Sequence, residues 1–172
     1  KLDHVGRDPL ELLDEIERLL DLRVAPLNWP IGSAEAFQGV FDLRANQVLL
    51  FERSAHGRHR APVQVSDLAD PRVAETIGER AHSKLCEDVE LLAGAGAPYD
   101  HESFLAGTLT PVFFGSALNN FGVQPFLDAL VALAPAPRPR ESDRGPISPT
   151  TPAFSGIVFK IQANMDPRHR DT

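Results

Sequence analysis

The chain has 172 residues, of which 42% are apolar and 24% charged, and its formal net charge is −7. These proportions are typical of a globular domain and exclude wholesale disorder, a collagen-like fibre and a disulfide scaffold. The negative charge argues against a general nucleic-acid coating role, although it leaves room for a local basic patch. The single cysteine, Cys86, cannot form an internal disulfide, and no apolar run approaches the length of a membrane helix. We therefore expect a cytoplasmic protein with no membrane partner.

The two ends of the chain suggest a piece of a larger protein. The first residue is Lys1 rather than an initiator Met, and Thr172 follows soon after a strand-like run has begun. We therefore expect further protein before Lys1 and after Thr172.

A helix is predicted directly after Asp8 and Pro9. An Asp caps helix N-termini well, and a Pro suits the first helical position, where its missing N–H costs nothing. Apolar residues then recur every three or four positions from Leu12 to Leu20, with charged residues between them. This spacing is typical of an amphipathic helix.

A small antiparallel sheet is predicted over residues 25–52. Its first part is an extended stretch marked by prolines, and alternating residues at 37–43 and an apolar run at 48–51 follow on either side of a turn. The polar segment 53–62 is predicted to be a loop.

The next hundred residues indicate helices and one strand. A helix is predicted over 71–93, a short helix over 101–106, and a strand covered on both faces over the apolar run 111–115. A further helix, 123–133, carries its apolar residues on one side. The succession of strand, tight polar turn and helix indicates an α/β unit.

The chain then passes through a linker into a new β element. Residues 134–152 contain six of the fifteen prolines and several charges, a composition typical of a stiff, solvated connection. Beyond it, apolar side chains alternate from Ile157 to Ala163, which predicts a strand. We expect a first domain at 1–133, the linker at 134–152 and a second domain from 153 to 172.

Motif searches find no complete catalytic or metal-binding set. The sequence lacks HExxH, GxSxG, GxxxxGK[ST] and GxGxxG patterns, and the paired carboxylates on the helices face solvent by periodicity. Cys86 is interpreted as a buried structural thiol. We therefore predict no catalytic residue and no metal ligand within this chain.

Two short segments could together recognise a guanine base. Residues 1–3 stand before the first helix, and residues 115–119 stand where an apolar strand turns into a helix. Ligands collect at the carboxyl ends of strands in open α/β sheets. A carboxylate such as Asp3 can accept from N1 and N2 of guanine, and a lysine stem such as that of Lys1 can cover a purine face. Each segment by itself is short enough to occur by chance.

The sequence resembles the translational GTPases, and most specifically the bacterial release factor 3 family. The stretches that carry this resemblance are DPLELLDEIERLL, APLNWPIG, FQGVFDL, FLAGTLTPVFFGSALNNFGVQPFLDALVALAPAPRPR and FSGIVFKIQANMDPRHRD. Elongation factor G shares some of these features and the tetracycline-resistance ribosomal protection proteins are more distant. The APAPRPR linker and the FKIQANMDPRHRD run favour the release factor.

The resemblance implies the following site residues. Asp3 would bind the edge of the guanine base and Lys1 would pack on its ring, as the remainder of an Asn-Lys-x-Asp motif whose Asn is absent here. Ser116, Ala117 and Leu118 would form a second base-recognition turn, with the main chain of Ala117 reaching O6 of guanine. The cofactor would be GTP or GDP.

The resemblance also implies the fold. Residues 1–133 would be the C-terminal part of a P-loop GTPase domain with an α+β insert. A linker and the first strand of a β-barrel domain would follow. The phosphate-binding loop, both switch regions and the Mg²⁺ ligands would lie outside this chain, so we expect the chain alone to be inactive as a GTPase.

The function implied for the parent protein is GTP hydrolysis on the ribosome. Such a protein would promote the recycling of class I release factors after translation termination, with the ribosome and those factors as partners. The alternatives are an elongation factor G-like or ribosomal protection GTPase, and a non-catalytic α/β interaction module in which both short segments are incidental.

Overall fold

The computed structural model describes residues 1–51, 63–65, 67–95 and 98–160. The loop expected at 53–62 lies outside these residues. The chain divides into two compact units, Lys1–Ala134 and Pro135–Thr172.

The first unit is a mixed α/β structure with one parallel and one antiparallel sheet. Its described α-helices are α1 (Pro9–Leu20), α2 (Pro71–Ile77), α3 (Glu79–Ala95), α4 (His101–Leu105) and α5 (Val123–Leu133). Its described strands are β1 (Arg23–Pro26), β2 (Asn28–Ile31), β3 (Gly39–Asp42), β4 (Gln47–Leu50), β5 (Val63–Val65) and β6 (Leu109–Val112). The α/β class predicted from the sequence is therefore confirmed.

The predicted first helix is confirmed with its capping residues. The Asp8 carboxylate accepts a hydrogen bond of 2.8 Å from the main-chain N–H of Leu10, and Pro9 occupies the first helical position. The helix ends at Leu20, and the next residue, Asp21, has a left-handed φ of 52°. Leu13 is buried in the core, as the apolar spacing requires.

The strands form two sheets that meet at a single residue. In the first sheet β1 pairs with β6 in parallel, and in the second β2, β3, β4 and β5 are antiparallel neighbours. Leu27 separates β1 from β2, so the chain passes from one sheet to the other there. The antiparallel sheet predicted around residues 37–51 is confirmed in β3 and β4.

Two of the predicted elements differ in the structure. The helix predicted over 71–93 is two helices, α2 and α3, because Gly78 adopts a φ of 87° that breaks the helical hydrogen bonding. The strand predicted over 111–115 begins earlier, at Leu109, and ends at Val112, since its only partner in the described part of the chain, β1, ends at Pro26.

The apolar side of α5 is largely exposed. Phe126, Leu127 and Leu130 are 42%, 45% and 49% exposed, and Val131 is 85% exposed, whereas Ala129 is buried. The helix therefore contacts the rest of the unit through small and half-buried side chains.

Trp29 lies at the centre of the main core. It is 1% exposed, its Nε1 donates a 3.0 Å hydrogen bond to Asp88 Oδ2, and its ring meets that of Phe114 edge-on at 5.2 Å. The other buried members of this cluster are Leu13, Val24, Ile31, Phe41, Val48, Val73, Ile77 and Leu85. Because Asp88 also accepts from Lys84, its charge is compensated where helix α3 packs on strand β2.

The second unit contains an isolated bridge between Arg140 and Ile147 around a turn at Gly145. Residues 153–160 form no strand, and their side chains are exposed. The predicted strand is therefore not confirmed over these residues, and the rest of it lies outside the described part. Alternating side chains make a strand only when a neighbouring strand supplies hydrogen bonds.

Replacing Trp29 by Phe tests the buried hydrogen bond to Asp88. The Phe keeps an aromatic ring in the core but leaves the carboxylate without its indole donor, so we expect the free energy of unfolding to fall by about 1–3 kcal/mol. Urea unfolding of the chain measures this change. The control, Val131→Ala, alters an exposed side chain and should change stability by less than about 0.5 kcal/mol.

Candidate functional site

The two segments predicted to recognise guanine lie side by side. The main-chain N–H of Leu2 donates to the carbonyl oxygen of Gly115 over 3.2 Å. The Ser116 hydroxyl donates to Asp3 Oδ1 over 2.6 Å, across a sequence separation of 113 residues. The structure thus brings Asp3 and Ser116, two of the residues named from the sequence, into direct contact.

The turn that carries Ser116 is closed by its own main chain. The N–H of Ser116 donates to the carbonyl oxygen of Phe121 over 2.8 Å, and the N–H of Phe121 donates back to Ser116 over 2.9 Å. Asn120 adopts a left-handed φ of 56°, which reverses the chain direction within the turn. Ser116 is fully buried, so its hydroxyl is fixed in position rather than free in solvent.

Two glycines allow the turn to pack closely against its own return. A Cβ atom at Gly115 would lie 2.6 Å from the carbonyl oxygen of Phe121, and one at Gly122 would lie 2.8 Å from that of Phe114. Gly122 also has a φ of 76°. Side chains at these positions would push the main-chain segments apart and displace Ser116.

The hydroxyl of Ser116 stabilises the charged form of Asp3. The pKa of the Asp3 carboxyl lies below its ordinary value, chiefly because Ser116 donates a hydrogen bond to it. His4 Nε2 lies 3.0 Å from the other carboxylate oxygen, Oδ2, and only 10% of the Asp3 side chain is exposed. Asp3 is therefore an ionised acceptor held in one orientation.

The remaining predicted site residues are exposed. Lys1 and Ala117 lie at the surface, and Leu118 is 76% exposed. A cavity of about 800 Å³ lies beside the first segment, lined by Lys1, His4 and residues of the second sheet and α3. Of the predicted site residues, Lys1 lines this cavity, whereas Asp3 and residues 116–118 do not.

Sequence reasoning missed two residues at this site, His4 and Asn28. His4 contacts Asp3 as described, and Asn28 bonds the main chain of Phe114 just before the turn. The position of His4 next to Asp3 was a signal that could have found it. Asn28 lies 86 residues from Phe114, and no local pattern reports such a contact.

The described residues hold neither a grouped set of metal ligands nor a buried thiol. Among them, no three His, Cys, Asp or Glu side chains group as a metal site. Cys86 is half-buried rather than buried, with its Sγ 3.8 Å from His82 Nε2, which corrects the expected full burial. Within the same part of the chain, no helix is long and apolar enough to cross a membrane.

The chain is similar in sequence to peptide chain release factor 3 proteins. No family model matches the chain. The peptide chain release factor 3 of Gloeobacter violaceus is 53% identical over 171 residues, which cover 99% of this chain and 32% of that protein. The protein of the same name from Trichodesmium erythraeum is also 53% identical, with the same coverage. The chain matches a segment of peptide chain release factor 3.

The resemblance inferred from the sequence is thereby confirmed. The chain spans about a third of the length of the release factor 3 relatives it matches. A crystal structure from Thermus thermophilus is 20% identical with a TM-score of 0.46, and the match covers 76% of this chain and 21% of that one. A likeness at that level carries no argument about the fold or the function.

Replacing Ser116 by Ala tests the electrostatic link to Asp3. Loss of the hydroxyl donor should raise the pKa of Asp3 toward its ordinary value, as measured by NMR titration of the carboxyl carbon. Because the folded pKa is lowered, the stability that Asp3 contributes is present above its unfolded pKa and is lost as pH falls through the folded pKa. The substitution should therefore reduce that acid-sensitive stability.

Asp100 serves as an internal control in the same titration. Its pKa is also lowered, by hydrogen bonds from Ser103 in a different part of the unit. It should titrate identically in the wild-type chain and in Ser116→Ala. An unchanged Asp3 pKa in the variant would contradict the link.

Proposed function

We propose that this chain is the guanine-recognising part of a translational GTPase similar to peptide chain release factor 3. The observation that carries the proposal is the 2.6 Å hydrogen bond from Ser116 to Asp3. It joins the two segments whose chemistry suits the two edges of a guanine base. This contact supports treating the two segments as parts of one site.

The carboxylate of Asp3 supplies base specificity. Guanine carries donors at N1 and N2, and an ionised carboxylate accepts from both, whereas adenine has no such pair of donors. Ser116 occupies one side of Oδ1, and an oxygen has a second lone pair for a ligand donor. His4 lies on Oδ2, so the base must share that oxygen with His4 or displace it.

The other predicted residues complete the recognition of the base. The aliphatic stem of the exposed Lys1 covers one face of the purine, and the main-chain N–H of Ala117 donates to O6. Leu118 shields the base edge from the solvent side. Together, a donor at O6 and an acceptor at N1 and N2 exclude adenine, whose substituents have the opposite polarity.

The proposed fold is the C-terminal part of a P-loop GTPase domain, at residues 1–133, with an inserted α+β region. The parallel pair β1–β6 would belong to the main sheet, and the exposed apolar side of α5 is suited to packing against further parts of that domain. Residues 134–152 would be the linker, and 153–172 would begin a β-barrel domain.

The whole protein would be a cytoplasmic, ribosome-dependent GTPase that recycles class I release factors after termination. The shared name of the matched relatives supports this assignment over an elongation factor or a ribosomal protection protein. GTP hydrolysis also needs Mg²⁺, which neutralises phosphate charge when bound. The role proposed for this chain is to bind and orient the base.

Replacing Asp3 by Asn in the full-length protein tests base recognition. The Asn amide offers a donor where guanine also presents one, so affinity for GDP should fall about tenfold or more. Xanthine carries a carbonyl oxygen where guanine carries its 2-amino group, and the Asn amide can donate to that oxygen. The nucleotide preference should therefore shift toward xanthosine diphosphate. Titration with both nucleotides measures this shift. Asp8→Asn makes the same charge change at a helix cap and should leave both affinities unaltered.

The 172-residue chain by itself should bind guanine nucleotide weakly. Its sequence contains no GxxxxGK[ST] loop to hold the phosphates, so the base contacts must act without them. A titration with a fluorescent mant-GTP derivative should give no low-micromolar affinity and the chain should show no GTP hydrolysis. Tight binding by the isolated chain would contradict this division of roles.

A further inference from the structure

The side chain of Asn28 acts as a strand partner for Phe114. Its Nδ2 donates to the carbonyl oxygen of Phe114 over 3.0 Å, and the N–H of Phe114 donates to Asn28 Oδ1 over 2.6 Å. This is the pair of hydrogen bonds that a neighbouring strand supplies to one residue of a ladder. Asn28 and Phe114 are 1% and 8% exposed, so these two hydrogen bonds lie in the protein interior.

This contact extends the first sheet beyond its last strand pair. The parallel ladder ends at Pro26 and Val112, and Leu27 adds one hydrogen bond of 2.9 Å to the carbonyl oxygen of Val112. The main chain of Asn28 then pairs with Asp42 in the second sheet. The side chain of Asn28 therefore continues the first sheet while its main chain begins the second.

Asparagine is the side chain whose chemistry fits this position. It carries one donor group and one acceptor at the spacing of a peptide unit. Aspartate offers only acceptors when ionised and would repel the carbonyl oxygen of Phe114. An apolar residue would leave both main-chain groups buried without partners.

The contact acts directly on the proposed base site. Phe114 directly precedes Gly115 and Ser116, and Gly115 lies so close to the returning segment that a Cβ there would be 2.6 Å from the carbonyl oxygen of Phe121. The position of Phe114 thus determines where the buried Ser116 hydroxyl meets Asp3. A recognition site must be held to within about 0.5 Å to keep its hydrogen bonds.

We propose that Asn28 is a positioning residue for guanine recognition, which it serves through Phe114 without touching the base. The proposal rests on the proposed function. It also means that the second sheet and the base-binding turn are coupled through one side chain. A change in Asn28 should therefore reduce the discrimination between bases and not only the stability of the fold.

The test compares Asn28→Asp with Gln38→Glu in the full-length protein. Gln38 is the matched control because its Nε2 also donates to a main-chain carbonyl oxygen, that of Ile77 at the end of α2, over 3.2 Å. Each variant is titrated with GDP and with inosine diphosphate, which lacks the 2-amino group that Asp3 would bind. The ratio of the two affinities reports the geometry of Asp3, since only GDP carries the 2-amino group. Partial unfolding lowers the active fraction for both nucleotides and leaves this ratio unchanged.

We expect Asn28→Asp to weaken GDP binding by about tenfold or more and to reduce the preference for GDP over inosine diphosphate. Gln38→Glu should match the wild-type protein in both quantities. If Asn28→Asp does not fold, Asn28→Ser brings no charge into the interior and should show the same losses to a smaller degree.

A folded Asn28 variant with wild-type GDP affinity and wild-type base preference would overturn the proposal, and so would equal losses in Gln38→Glu. A wild-type protein that binds no guanine nucleotide would instead overturn the proposed function and this inference with it. The wild-type titration separates the two failures.

Discussion

The passage of the chain from one sheet to the other at Leu27 is the constraint on which the rest of the first unit depends. The N–H of Leu27 donates to Val112 in the first sheet, and its carbonyl oxygen accepts from Leu43 beside the second sheet. The residue is 3% exposed, so both groups must find protein partners. One peptide segment thus holds the parallel pair and the antiparallel sheet together.

The two residues that follow Leu27 connect the second sheet to other parts of the unit through their side chains. Asn28 reaches the end of β6 through Phe114, and Trp29 reaches helix α3 through Asp88. The ring centroids of Trp29 and Phe114 are 5.2 Å apart. The strand end that leads into the turn at Ser116 is therefore bounded by the second sheet and by the helix packed on it. These contacts act together with the main-chain hydrogen bonds of the turn itself to hold the Ser116 hydroxyl in place.

The proposed role explains why polar groups are buried at the end of β6. Ser116 is fully buried beside the largely covered carboxylate of Asp3, an arrangement that costs desolvation free energy unless each polar group has a hydrogen-bond partner. The hydrogen bond between them offsets that cost and lowers the pKa of Asp3. A charged acceptor of fixed orientation is what selective binding of a base with paired donors requires.

Local patterns in the sequence were sufficient to predict several elements. The Asp8 cap and leucine spacing predicted α1, and alternating residues predicted β3 and β4, because both signals act within a few residues. Asp3 and the turn at Ser116 were named from residue type together with the family resemblance, and the structure brings them into contact. The sequence did not show the break at Gly78, since a glycine within a helical pattern is compatible with either outcome.

Only the tertiary structure decided which of these local features meet. The contact of Asp3 with Ser116 and that of Asn28 with Phe114 join residues far apart in the chain, and no periodicity encodes such a pairing. The strand predicted after residue 153 is a further example. Its apolar side chains alternate as in a strand, but no neighbouring strand pairs with it in the described residues. Local hydrogen bonds and side-chain spacing determine an element, whereas burial and long-range hydrogen bonds determine a site.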